Sequence, residues 1–142
     1  MIVVGIDGSE GSKSALRWAL EEARLRGDRV LAVHAWSPPA AFAPAPWAVA
    51  VPVDEQTFER AADELVRSVV AEVAGDAVDL VEARAVRGSP AGELLDLAGE
   101  DHLLVVGSRG HGGFGGLLLG SVSDQCAHHA RGAVVIVPAP KR

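Results

Sequence analysis

Strand-like apolar runs alternate with helix-period stretches along this chain of 142 residues, and that alternation restricts the fold more than any other property. Ile2 to Ile6 and Val30 to Trp36 are short β-rich runs. Leu103 to Val106 and Val134 to Val137 are continuously apolar, as parallel strands covered on both faces must be. Between Ile6 and Val30, Leu16, Ala19, Leu20 and Ala23 recur at i, i+3, i+4 and i+7, with Lys13, Arg17, Glu21 and Glu22 on the outer face. Phe58, Ala61, Leu65, Val69 and Val73 predict a second helix ending near Gly75, and Ala91, Leu94, Leu95 and Ala98 a third. A last short helix is expected from about Ser121 to Ala130. Val81, Ala83 and Ala85 alternate with Glu82 and Arg84, the pattern of a half-exposed edge strand. The order is β-α-β-α-β-α-β-α-β. It predicts an α/β fold, one doubly wound parallel sheet with helices on both faces. In such sheets ligands bind beyond the carboxyl ends of the strands, where the winding reverses.

Punctuation supports these boundaries. Gly27 sits where the first helix should stop, and Ser89-Pro90 reads as an N-cap followed by proline at the first helical position. From Ser37 to Val53 the pattern fails: Pro38, Pro39, Pro44, Pro46 and Pro52 interrupt an Ala-rich stretch that can hold neither a regular helix nor a central strand. A connection this long reads as a flap or crossover loop, or else as a partner-docking segment. No two of the prolines have P-x-x-P spacing, which argues against SH3-type recognition.

Composition removes several function classes. With 49% hydrophobic and 23% charged residues the chain is expected to fold as one domain, 1–142. No run of about 18 apolar residues lacks charge, so no membrane span is expected. The start, Met1-Ile2-Val3-Val4, lacks a basic region and reads as a first strand and not a signal peptide. One cysteine, Cys126, permits no internal disulfide and fits a reducing compartment, so a soluble cytoplasmic protein is expected. A net charge of −6 argues against a broad nucleic-acid or anionic-membrane surface. An anionic ligand must then be held by local geometry.

That geometry is suggested by the segment Gly107-Ser108-Arg109-Gly110-His111-Gly112-Gly113-Phe114-Gly115-Gly116, with six glycines in ten residues directly after the fourth strand. Each glycine costs roughly 0.5–1 kcal/mol of folding free energy relative to Ala. Such density calls for a steric reason, and convergence of backbone N–H groups on an anion supplies one. Gly120-Ser121 then opens a helix whose N-terminus favours phosphate. The alternative is an unstructured glycine-rich surface loop. Leu117-Leu118-Leu119 opposes it, because those side chains should anchor the loop on the body. A Walker A loop is excluded, since no lysine follows these glycines. Gly110, Gly112 and Gly115 match G-x-G-x-x-G, but after the fourth strand, and with no acidic residue about 20 positions on for a ribose.

The spacing Gly107-x2-Gly110-x9-Gly120-Ser121 resembles the ATP-binding signature of the universal stress protein family, G-2x-G-9x-G-(S/T). Val3-Val4-Gly5-Ile6-Asp7-Gly8-Ser9 is similar to that family's first strand and turn, and Leu104 to Gly110 to its fourth strand and loop. Leu119-Gly120-Ser121-Val122-Ser123 and Val134 to Val137 also correspond, whereas Ser37 to about Thr57 does not. The resemblance implies a five-stranded sheet of order 3-2-1-4-5, with Asp7 and the Gly107 loop facing each other across one crevice. It places adenine near the backbone of Ala35 and ribose near Asp7 and Gly107. Phosphates would rest on Gly110, on loop N–H groups such as those of Gly112 and Gly113, and on Gly120, Ser121 and Val122. A divalent cation, Mg²⁺, would bridge them, with Asp7 as its protein ligand. The family's homodimer, paired through the last strand, implies that role for Val134 to Val137.

Other residues invite chemistry. Asp7 is a candidate for orienting Mg²⁺ or ribose or for acting as a base, and equally a turn-former, since Asp-Gly is a strong turn signal. Arg109 and His111 can reach phosphate oxygens, with solvated loop positions as the alternative for both. Cys126, His128 and His129 form C-x-H-H on the last helix, with His129 expected near the Val122/Cys126 stripe. A packed cysteine with helix-end histidines is the reading preferred over zinc. His34 is expected to be structural. No G-x-S-x-G elbow makes Ser9 or Ser121 a nucleophile, and no arginine finger with a positioned water and acidic partner is visible. The expectation is an ATP-binding stress-response signalling or regulatory module with unknown protein partners and hydrolysis absent or slow. Its rivals are a homodimeric scaffold with a vestigial site and an adenylating enzyme. The last would need an S-G-G-x-D-S loop or an H-x-G-H pair, and neither is present.

Overall fold

A computed structural model describes residues 1–38, 54–110 and 118–140. Their elements run β1 (Ile2–Gly5), α1 (Glu10–Arg26), β2 (Val30–Trp36), α2 (Glu55–Ala74), a 3₁₀ helix (Gly75–Leu80), β3 (Val81–Arg87), α3 (Pro90–Ala98), β4 (Leu103–Gly107), α4 (Ser121–His129) and β5 (Val134–Val137). The strands form one sheet of order β3-β2-β1-β4-β5, parallel at every pairing. Val4 stands opposite Ala32 on one side and Val105 on the other. The expected α/β architecture and strand order are therefore present. The proline-rich connection, apart from Ser37 and Pro38, and loop residues 111–117 lie outside the described residues.

The apolar strands are continuous because each face has its own core. Ile2, Val4, Val30, Ala32 and Val105 pack under α1 and α2. Their neighbours Val3, Leu31, Val33, Leu104 and Val106 point the other way, toward Ala91, Leu94 and Ala98 of α3 and Cys126 of α4. β3, at one edge, alternates as expected, with Glu82 and Arg84 exposed. At the other edge all four residues of β5 are only partly buried.

The helix ends follow local chemistry. Ser9 caps α1 by accepting from the Ser12 N–H at 3.2 Å, and Gly27 ends it in the left-handed conformation, φ 66°. Pro90 opens α3 as expected, but Ser89 holds the N-cap position without a side-chain hydrogen bond. α2 departs from its expected stripe. Its buried residues are Ala62, Val66, Val69, Val70 and Ala74, while Leu65 and Val73 are partly buried and Phe58 and Ala61 face solvent. Large side chains suggested the stripe, but the sheet and α1 sit close beneath α2, and small and β-branched residues fit there. After Ala74 the chain does not turn directly into β3 but continues as the 3₁₀ helix, burying Ala77.

These positions can be separated by stability. Val66→Ala, at a fully buried site, should lower unfolding free energy by about 1.5–3 kcal/mol, counting two lost methyl equivalents and a residual cavity. Phe58→Ala, at a site 37% exposed, should cost less, about 1 kcal/mol or under. Urea denaturation of both variants checks this, and a larger loss at Phe58 would restore the stripe expected from sequence.

Candidate functional site

A parallel sheet with α1 and α2 on one face and α3 and α4 on the other leaves a crevice where the chain leaves β1 and β4 in opposite directions. A cavity of about 330 Å³ lies there. Gly5, Ile6 and Asp7 line it from the end of β1, Val33 and Ala35 from β2, and Val106, Gly107, Arg109 and Gly110 from β4 and its turn. Pro90 and Leu94 of α3 form an apolar wall, and Leu119 to Ser123 close it from α4. Each helix that follows a strand starts at this end of the sheet, so the N-termini of α1, α3 and α4 all contribute lining residues.

The three termini are not equivalent. α1 is capped by Ser9 and carries Glu10 in its first turn. α3 begins with a proline, which has no N–H, and carries Glu93. α4 has Gly120 at its N-cap and, like α3, no side-chain cap. It too carries an acid in its first turn, Asp124, but among the described residues the N–H groups of Ser121 and Val122, which line the cavity, have neither an intrahelical nor a side-chain acceptor. A terminus of this kind favours an anion by roughly 0.3–1 kcal/mol when exposed and up to about 2 when partly buried.

Asp7 is held by its own turn. Its Oδ1 accepts from the Ser9 N–H at 2.9 Å and from Ser9 Oγ at 2.5 Å, and Gly8 takes φ 83°, a left-handed conformation that suits glycine. Its Oδ2 faces Gly110, where an added Cβ would collide with it. The turn-forming role is therefore real, and the same turn aims the carboxylate across the crevice. The signature glycines also have packing reasons of their own. A Cβ on Gly107 would lie 2.7 Å from the Gly11 carbonyl carbon and 3.1 Å from the Ser12 nitrogen. One on Gly11 would lie 2.5 Å from the Arg109 carbonyl oxygen.

Asp7, Ala35, Gly107, Arg109, Gly110, Gly120, Ser121 and Val122 are thus brought together, whereas His111, Gly112 and Gly113 lie outside the described residues. Arg109 sits exposed at the rim. Leu119 lines the cavity, but Leu118 is 89% exposed, so it does not anchor the loop as the three-leucine run suggested. Sequence reasoning gave Pro90 and Leu94 only a helix start and a core stripe, and it assigned nothing to Ser12 or Ser123, which also line the cavity. A serine on the inward side of a helix was the available signal at both.

Asp7 is the one carboxylate among the described lining residues. That donor set fits Mg²⁺ held by a single carboxylate, waters and ligand phosphates. It does not fit an all-protein cage: among the described residues no group of three His, Cys, Asp or Glu could hold a metal. Cys126 is fully buried and desolvation pushes its thiol up, while His128 and His129 are both exposed. His129 is therefore not on the buried stripe; the packed residues of α4 are Ser123 and Cys126, one turn apart. His34 Nδ1 lies 2.7 Å from the Ile6 carbonyl oxygen, joining β2 to the end of β1, as a structural histidine should.

Residues 1–138 match the model of the Universal stress protein family. The chain is 36% identical over 138 residues to a universal stress protein of Mycolicibacterium smegmatis, covering 96% of this chain and 47% of that protein. A universal stress protein of Mycobacterium tuberculosis is 37% identical over 148 residues, covering 99% of this chain and 44% of the relative. The chain spans about half the length of the curated relatives it matches. Among solved structures, a universal stress protein in complex with cAMP is similar at a TM-score of 0.68 and 27% identity, covering 98% of this chain and 96% of that one.

Two outcomes are expected at these positions. Gly107→Ala should destabilise the fold by about 1–3 kcal/mol, because the new methyl meets backbone that cannot rotate away. Gly110→Ala should cost less than Gly107→Ala, about 1–2 kcal/mol, since the group it meets is the Asp7 carboxylate, which must leave its turn but is not main chain. Denaturant titrations rank the two, and the reverse ranking would remove backbone contact as the reason for Gly107. Cys126 should be inert to Ellman's reagent in the native protein and react fully in denaturant. Prompt native labelling would mean that the α4 face opens.

Proposed function

Because the chain belongs to the universal stress protein family, we propose that it binds ATP with Mg²⁺ in this crevice and serves as a nucleotide-dependent module in stress-response signalling. The observation that carries the proposal is the uncapped N-terminus of α4 beside the Gly107–Gly110 turn, both lining one cavity of about 330 Å³. Ligand pockets commonly begin near 300 Å³. The cAMP complex of a 27% identical relative supports an adenine nucleotide as the ligand class. Ala35, Val33, Pro90 and Leu94 supply an apolar recess suited to the base. Ser121, Val122 and the β4 turn are suited to the phosphates, and Asp7 to the ribose or the cation. When bound, Mg²⁺ would neutralise phosphate charge beside Asp7.

Slow or absent hydrolysis is part of the proposal. Among the described lining residues the sole carboxylate is Asp7, and its Oδ1 is already an acceptor for Ser9. A water-activating base with a separate acidic partner has no candidate in that set. The homodimer is proposed through β5, an edge strand of Val and Ile paired only to β4 among the described residues. An apolar edge of this kind is a template for pairing with a second copy. A cytoplasmic location and regulatory protein partners complete the proposal.

The second reading, a homodimeric scaffold with a vestigial site, is favoured by one observation. Gly107 is required by its contact with Gly11 and Ser12, and Gly110 by its contact with Asp7, so both would persist without any ligand.

Denaturing freshly purified protein and chromatographing what it releases separates the two. Stoichiometric ATP supports the proposal, and ADP would indicate slow turnover. An empty protein that also fails to bind Mg-ATP on titration would favour the scaffold. Multiple turnover with kcat of order 1 s⁻¹ would overturn the module reading. Asp7→Ala should weaken ATP binding by about tenfold with Mg²⁺, or ~1.4 kcal/mol, and by much less without it. Equal losses would remove Asp7 from the cation.

A further inference from the structure

We infer that Ser123 is a positioning residue of the phosphate cradle: its buried hydroxyl ties the first turn of α4 to the turn after β4 and sets the spacing between them. The inference rests on the nucleotide reading above and concerns a side chain to which that reading gives no role.

Ser123 is 1% exposed, one of two buried polar side chains among the described residues, the other being Ser12. Its Oγ lies 2.9 Å from the Ser108 carbonyl oxygen and 3.0 Å from that of Gly120. Bonding from a helical serine to the carbonyl three residues back is ordinary local behaviour. The reach to Ser108 is not, because it crosses from α4 to a different arm of the site. Neither carbonyl depends on this hydroxyl. Ser108 O also accepts from the Gly120 N–H at 2.7 Å, and Gly120 O from the Asp124 N–H at 2.9 Å. What the hydroxyl adds is therefore geometry rather than satisfaction of an orphaned acceptor.

The geometry matters because the two arms are in contact there. A Cβ on Gly120 would stand 3.4 Å from the Arg109 Cα and 3.5 Å from the Ser108 oxygen. The Ser108 N–H in turn donates to the Val137 carbonyl at 2.8 Å, which fixes the turn to β5. Ser123 thereby locks α4 onto a point already secured to the sheet. The N–H groups of Ser121 and Val122 can then meet the same anion as the turn at Gly110. On the reading above, the base would sit in the recess of Val33, Ala35, Pro90 and Leu94 and the ribose beside Asp7, whose carboxylate is held by Ser9, so neither would use an N–H group of α4.

The test is a titration of the full chain with adenosine, AMP and ATP in Mg²⁺, with thermal melting of each variant. Ser123→Ala should weaken ATP binding by about three- to tenfold, the range expected for one hydrogen bond, and leave adenosine within about twofold. Ser123→Thr, which keeps the hydroxyl, should restore ATP affinity. If its added methyl prevents folding, Ser123→Cys, near-isosteric and a weak donor, should give an intermediate value. Equal losses for adenosine and ATP, or a lower melting temperature with an unchanged ATP-to-adenosine ratio, would reduce Ser123 to a packing role and overturn the inference. Wild-type protein that binds none of the three would overturn the nucleotide reading and this assignment with it. Wild-type protein that binds ATP, beside an Ala variant that binds it equally well, would overturn the assignment alone.

Discussion

Two backbones meet at Gly107, where the end of β4 presses against the first turn of α1 at Gly11 and Ser12. A methyl group on Gly107 would enter the main chain at Gly11, and one on Gly11 would meet the Arg109 carbonyl oxygen, so the distance between the two elements is set by the absence of side chains. That approach seats α1 over β4 as well as β1, the strand it follows, and brings the Asp7 turn alongside the β4 turn. The cavity is what remains between these two turns and the start of α4. If the helix were held farther off, Asp7 would no longer face Gly110, and the crevice would open toward α1.

The electrostatics follow from the same topology. A chain carrying a net −6 has no general attraction for anions, yet every crossover helix of a parallel sheet starts at the carboxyl end of its strand. Helix N-termini therefore gather around the crevice and create a local positive potential that the overall charge does not reveal. Two of them are largely spent within the fold, α1 on its Ser9 cap and α3 on a proline start beside Glu93. α4 carries Asp124 in its first turn as well, but with neither a proline nor a side-chain cap it keeps the N–H groups of Ser121 and Val122.

Much of this was legible in advance, for reasons that can be assigned to residues. The continuous runs at β4 and β5 are explained by packing on both faces, and the glycines of the signature lie on the crevice. Failures came where local pattern and packing disagree. The face of α2 was misjudged because Phe58 and Leu65 outweigh Ala62 and Val66 in hydrophobicity, whereas the close fit against α1 and the sheet favours small side chains. Leu118 was expected to anchor the loop and points to solvent instead, since adjacent residues in a turn cannot all face the body. His129 was placed near a stripe whose inward members are Ser123 and Cys126.

By itself the sequence determined the class of fold, the order of its strands through family resemblance, and the end of the sheet at which the cavity lies. Those depend on periodicity, glycine spacing and turn residues, all of which are local along the chain. Tertiary structure alone decided that Gly107 is needed against Gly11, that Gly110 answers to Asp7, and that Ser123 reaches Ser108. These contacts join residues far apart in sequence. Their distances arise from how closely strand and helix can approach, a property of the assembled layers that no local pattern encodes.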